Sequence, residues 1–225
     1  MMSMRYKNTN ILKYAVGMAF AIAVLAHGMM NSTVEATSTG EVLADSANTA
    51  IFAGGCFWCV ESDFDNVDGV LETVSGYSGG DTSNPNYKNH HRGRHREVVR
   101  IVYDPTVVTY EKLLHTFWRS VDPTDAGGQF CDRGHSYTTA IYTLDDVQFS
   151  AAKSAKAKIE GSGVLKKPIA TVVEPVGRFW PAEDYHQNYY QKNPVRYKFY
   201  RNACRRDARV AAVWGDEAHA GIKAH

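Results

Sequence analysis

Apolar positions along this chain come in short bursts whose period switches between two and about 3.6. Ala50 to Ala53 form an apolar stretch that stops at Gly54 and Gly55, after which Phe57, Val60 and Phe64 recur at helical spacing. This pattern predicts strand, Gly-Gly turn and helix. Val70 to Tyr77 reads as extended, and the segment from Ser78 to Arg94, rich in Gly, Asn, Asp and His, as a loop. Glu97 to Tyr103 (EVVRIVY) is β-branched and predicts a strand, stopped by Asp104 and Pro105. Leu113, Leu114, Phe117 and Trp118 share one face of a predicted helix over Tyr110 to Arg119, with the Thr109 hydroxyl as its cap. Ser136 to Leu144 predicts a strand, Asp145 to Glu160 an Ala- and Lys-rich helix, and Ile169 to Glu174 another strand. The order βαββαβ, with an extra strand and helix worked in, implies a mixed or antiparallel sheet with helices on one face. From Phe179 to Tyr200 rings are dense and mixed with Lys and Arg, which reads as a loop-rich segment wrapping that core.

The two ends differ from this pattern. Arg5, Lys7 and Lys13 precede an uncharged apolar run from Tyr14 to Ala26, and polarity returns at His27. Basic start, short apolar core and polar exit are the order of a secretory signal, so residues 1 to 36 are expected to be a signal peptide and the protein exported, to a periplasm. An uncleaved membrane anchor is the alternative, disfavoured because crossing hydrocarbon needs roughly 20 apolar residues. Residues 37 to 48 read as a flexible linker, 49 to 214 as a single folded domain, and 215 to 225 as a frayed tail.

Composition narrows the function classes. The 225 residues are 44% hydrophobic and 22% charged, with a formal charge of +1 that becomes −1 once Arg5, Lys7, Lys13 and Glu35 leave with the leader. No large field favours nucleic acid. Four cysteines are too few for a disulfide-stapled miniprotein but enough for redox chemistry or one zinc site.

Cys56 follows Gly54-Gly55 at the expected helix N-terminus, where free N–H groups and the helix dipole stabilise a thiolate. Cys59 completes a C-x-x-C, a pattern shared by thiol oxidoreductases and zinc half-sites. Cys131 and Cys204 are solitary, which argues against zinc. His90, His91 and His95 lie among Arg92, Arg94 and Arg96 and read as a solvated basic loop rather than a metal cluster. Glu97 opens a half-buried strand, where desolvation raises a carboxyl pKa and suits it to proton donation. Tyr87 in NPNY offers a phenol to an oxygen atom, and Asp132 and Tyr137 stand in a Gly-rich loop beside Cys131.

Together GGCFWCVE, SGYSGG, NPNY, REVVRIVYDP, FWRSVDPTD, GGQFCDRGHSY and AEDYHQNYY, spread from about Thr49 to Trp214, closely resemble the A-type peptide methionine sulfoxide reductases. The resemblance implies an α/β (α+β) fold, a mixed sheet with a ferredoxin-like βαββαβ core and a long irregular C-terminal wrap. It implies reduction of methionine S-sulfoxide, free or in proteins, for repair of oxidised chains. Cys56 matches the nucleophile and Glu97 the proton donor; Tyr87, Asp132 and Tyr137 match the groups that hold the sulfoxide oxygen; Phe57 and Trp58 match the wall for the substrate methyl. No cofactor or metal is implied, only a thioredoxin-like or small dithiol reductant. Cys204 is the favoured resolving thiol, with Cys59 as rival and Cys131 a candidate only if the Asp132 loop approaches the nucleophile. A dithiol-disulfide oxidoreductase using Cys56 and Cys59 is the competing enzyme class. A zinc-stabilised binding module is the non-enzymatic one.

Overall fold

The computed structural model describes residues 48–223. The expected leader and nearly all of the expected linker lie outside the described residues. Strand β1 (Thr49–Ala53) leads through the Gly-Gly turn into α1 (Phe57–Asp65), followed by β2 (Val70–Ser78), β3 (Arg96–Tyr103) and α2 (Tyr110–Arg119). A tight hairpin of β4 (Gly128–Gln129) and β5 (Asp132–Arg133) precedes β6 (Ala140–Thr143), α3 (Asp146–Ser162), β7 (Val172–Pro175) and β8 (Trp180–Pro181). Three helices close the chain: α4 (Tyr189–Lys192), α5 (Pro194–Ala203) and α6 (Arg206–Trp214). No helix among the described residues is long and apolar enough to cross a membrane.

The main sheet runs β7-β6-β1-β3-β2-β8. Only β6 and β7 pair in parallel, so the sheet is mixed as expected. Alternation along β1 explains why the strand is apolar throughout. Ala50 and Phe52 face the helices with Val60, Phe64, Leu113 and Phe117, whereas Ile51 and Ala53 face Val98, Tyr142 and Phe179 on the other side. The predicted cap of α2 is present, the Thr109 hydroxyl accepting from Lys112 N–H at 3.4 Å. At α3 the Asp145 carboxylate accepts from Gln148 N–H at 2.7 Å, and Gly163 ends the helix at φ 69°.

Phe52 is fully buried, its ring 4.8 Å from Phe117 and 5.4 Å from Phe64. Phe52→Ala is expected to cost about 3 to 5 kcal/mol in denaturant unfolding, because neighbours on a sheet and two helices cannot collapse into the cavity. A loss under about 1 kcal/mol would show that the helical layer is not held by this cluster.

Three expectations change. The predicted strand from Ser136 is shortened to Ala140–Thr143, because His135–Tyr137 forms a 3-10 turn. The C-terminal wrap is helical rather than irregular: Pro194 starts α5, and Val210 and Trp214 of α6 join the core beneath α2. Lys and Arg placed among the rings hide the helical period there. Residues 215–223, expected to fray, are docked, with His219 N–H donating to Arg119 O and Lys223 N–H to Asn66 O, both at 2.9 Å, while Ile222 packs on the core.

Candidate active site

Gly55 adopts φ +91°, and a Cβ there would stand 2.7 Å from Gln129 Cβ. Only glycine makes this turn, which sets Cys56 at the N-cap of α1. The next residue's N–H has no partner within the helix and donates instead to Glu97 Oε2, at 3.0 Å from Phe57 N. Sheet register delivers that carboxyl group: Glu97 pairs with Tyr77 at the start of β3 and shares a face with Val99 and Ile101, beneath α1.

Seven of the eight residues singled out in the sequence line one small cavity of about 60 Å³: Cys56, Phe57, Trp58, Tyr87, Glu97, Asp132 and Tyr137. Tyr200 of α5 is the eighth wall, missed because it sits in the aromatic segment read as covering. Its phenol donates to Asp132 Oδ2, and its ring meets Trp58 edge-on at 5.8 Å. Trp58 is fixed from behind: it stacks on Tyr189 at 3.7 Å, and its indole N–H donates to His186 Nδ1 at 3.0 Å. Burial holds His186 down to about pKa 4, so the ring is neutral and able to accept. Glu183 secures the opposite wall, accepting from Tyr87 N–H at 2.9 Å and from the Tyr77 hydroxyl at 3.0 Å. These partners come from AEDYHQNYY, a stretch whose local pattern carries no sign of their roles.

Cys204 is placed elsewhere. Expected as the thiol that resolves Cys56, it is instead disulfide-bonded to Cys131, closing the β4–β5 hairpin onto the end of α5. The free thiols are Cys56 and Cys59, 7% and 3% exposed, and they are hydrogen-bonded to each other. Cys59 packs with Tyr189 and Tyr197 and does not line the cavity. The basic loop is also corrected in part, since His90 and His95 are buried while His91 is exposed.

Charge is distributed in a definite order. Desolvation pushes the Glu97 carboxyl up to about 8, against the pull of the Phe57 N–H, so it is protonated at neutral pH. Burial, the hydrogen bond to Cys59 and the neighbouring acids hold the Cys56 thiol well above its ordinary value. Cys59 moves the other way, because Cys56 donates to it and the guanidinium groups of Arg206 and Arg201 favour its thiolate. Both arginines are buried and braced on Asp63, Arg201 at 2.8 Å and Arg206 at 3.4 Å, with Arg206 also donating to Gly54 O at 3.0 Å. The helix N-terminus alone therefore does not make Cys56 the resting thiolate, as local sequence had suggested. Of the two thiols, Cys59 is the one whose ionisation its surroundings favour.

The peptide methionine sulfoxide reductase family model matches residues 48–218. Peptide methionine sulfoxide reductase MsrA 2 of Rhizobium meliloti (strain 1021) is 56% identical over 173 residues, 77% of this chain and 86% of that protein. This chain belongs to the peptide methionine sulfoxide reductase family. The family's MsrA from Bacillus licheniformis is 47% identical over 175 residues, covering 77% of this chain and 97% of its own length. Among solved structures, methionine sulfoxide reductase A of Corynebacterium diphtheriae aligns with a TM-score of 0.59 at 34% identity, over 65% of this chain and 75% of that one. A larger open groove of about 840 Å³ between α2 and α3 has no cysteine in its wall. The chemistry of a methionine sulfoxide reductase selects the small cavity over the large one.

Proposed function

We propose that this chain reduces methionine S-sulfoxide, free or in oxidised proteins, through a sulfenic acid on Cys56. The observation that carries the reading is the meeting of a cysteine and a buried, protonated carboxylic acid across one cavity walled by aromatic rings. Phe57 and Trp58 offer apolar surface to the substrate methyl, and Tyr87, Asp132 and Tyr137 surround the oxygen. Cys56 Sγ attacks the sulfoxide sulfur, passing its thiol proton to Cys59. Glu97 protonates the oxygen, which transfers to Cys56, so that methionine and Cys56–SOH form while Glu97 is left ionised. Cys59–SH then attacks Cys56 Sγ, forming a disulfide and releasing water. Two electrons from a dithiol donor restore both thiols.

Cys59 as resolving thiol is supported by its contact with Cys56, and by Cys204 being engaged with Cys131. No bound cofactor or metal enters these steps. A thioredoxin-like protein fits the donor role, since thioredoxin-type dithiols are the general reductants of such protein disulfides. An exported site of action rests on the leader alone.

Mapping sulfur bonds after one turnover with excess substrate tests the assignment. Cys56–Cys59 is the expected bridge, and Cys56–Cys204 would return the role to α5. In Cys59→Ser, methionine release with a thioredoxin-like donor is expected to stop after one equivalent per chain, with Cys56–SOH trapped by a sulfenic-acid probe; continued turnover would remove Cys59 from the cycle.

A further inference from the structure

The reaction proposed above, on which this inference rests, leaves Glu97 one proton short each time, because that proton departs in water. Glu97 is 2% exposed, so reloading runs through its neighbours. Several elements face it with titratable groups. These are Cys56 and Cys59 from α1, Asp132 from the β4–β5 hairpin, Tyr137 from the 3-10 turn, Tyr77 of β2, Tyr87, and His90 from the loop before β3.

His90 differs from the rest in what its two nitrogens meet. Nδ1 lies 3.2 Å from Tyr87 O and 3.3 Å from Asn86 O. Carbonyl oxygens only accept, so Nδ1 carries the hydrogen. Nε2 is therefore a lone pair, and it is buried with no hydrogen-bond partner among the described residues, 3.9 Å from Glu97 Oε1. The ring is 3% exposed and held between Tyr77, stacked at 4.9 Å, and Tyr87 at 5.9 Å, with His91 edge-on at 5.8 Å. His91 and His95 on its own loop and His186 across the site are the other imidazoles that act on it. Oε2 of Glu97 accepts from the Phe57 N–H and the Tyr137 hydroxyl also bonds this carboxyl group, while Oε1 is the atom that faces His90 Nε2. A side-chain adjustment of about 1 Å brings Oε1 and Nε2 within hydrogen-bond distance.

We propose that His90 is a positioning residue for Glu97: its unprotonated Nε2 draws a proton back onto Oε1 after each turnover and keeps the acid loaded into the alkaline range. Once Glu97 has delivered, two acceptors face each other in a dry site. One proton from solvent satisfies both, whether it sits on the carboxyl or on the imidazole. When the sulfoxide oxygen enters, it is a third acceptor, and attack by Cys56 directs the proton to it.

The test is the pH profile of Cys56 sulfenic acid formation in single turnovers, from about pH 6 to about pH 10. The wild-type rate is expected to fall above about pH 8. In His90→Leu that fall moves down by about one pH unit, the effect of losing one hydrogen bond to the protonated form. In His90→Gln, whose side-chain oxygen can accept from Oε1–H, it stays near the wild-type position. Equal slowing at every pH in both variants, with the fall unmoved, would mark His90 as packing alone and overturn the inference. Wild-type protein that forms no sulfenic acid would instead overturn the proposed reaction. Should His90→Leu fail to fold, nitrogen NMR decides: the His90 Nε2 resonance is expected to follow Glu97 titration in the wild type and to stay constant through that range in Glu97→Gln. A resonance that ignores Glu97 in the wild type rejects the proposal.

Discussion

Cys56→Ser is expected to release no methionine from a peptide sulfoxide with dithiothreitol as donor, a loss on the order of 10⁴-fold or more in kcat/KM. The hydroxyl that replaces the thiol is far less acidic and far less nucleophilic toward sulfur, and the neighbouring Cys59 can take its proton only at a large cost. Cys59 cannot substitute as nucleophile, since it packs with Tyr189 and Tyr197 and is not part of the cavity wall. The fold should be unchanged, because the Cys56 side chain accepts no cap hydrogen bond and sits at a backbone turn fixed by Gly55. Thermal unfolding near the wild-type midpoint together with the lost turnover is the outcome that isolates chemistry from stability. Turnover within about tenfold of the wild type would remove Cys56 from the reaction.

How much of this was legible depends on sequence distance. The β1 to α1 junction is local, so two glycines, a cysteine and two rings could be read in order, and the structure keeps them contiguous on the cavity. Glu97 was legible through strand pattern, because a period of two fixes which face a residue takes once its neighbours Val99 and Ile101 are assigned to the core. Tyr137 lies where a Gly-rich loop meets a weak β pattern, and it reaches the cavity from a 3-10 turn because the loop chemistry next to Gly134 outweighs that pattern. Arg206 was not legible at all. It reaches Gly54 O across 152 positions, and only docking of α6 beneath α1 makes that contact. The Cys131–Cys204 bond joins residues 73 positions apart, and four cysteines permit three pairings that spacing does not rank. His90 looked like one basic residue among many, because burial of one imidazole in a run of six cationic and histidine positions leaves no trace in composition.

The buried charges in this site form two linked groups with opposite demands. Arg201, Arg206 and Asp63 beneath Cys59 supply compensated charge that stabilises a thiolate in a dry interior. On the other side of Cys56, Glu97 has no cation within ion-pair distance among the described residues unless His90 is protonated, so it stays neutral. A proton donor and a proton acceptor are thus kept on either side of one sulfur, and Cys56 can lose its own proton to Cys59 while Glu97 gives one to substrate.

Glu97→Gln tests both halves of that arrangement, because it should lose activity and gain stability. Removing the proton donor is expected to lower the rate of Cys56 sulfenic acid formation by about 10² to 10⁴-fold and to abolish its decline above pH about 8. The stability effect has the opposite sign. In the unfolded chain a glutamate ionises near its ordinary value of about 4.3, whereas in the folded protein it keeps its proton up to about 8. Between those values the folded state binds the extra proton, so wild-type stability falls as pH rises through the window and levels off above it. The amide does not titrate, and its oxygen can still accept from the Phe57 N–H. The variant should therefore match the wild type near pH 4 and exceed it by up to ~3 kcal/mol near pH 7 in denaturant unfolding. A stability difference that does not change with pH would mean that Glu97 is ionised in the folded protein, and the acid in this site would have to be sought in Tyr137 or Asp132 instead.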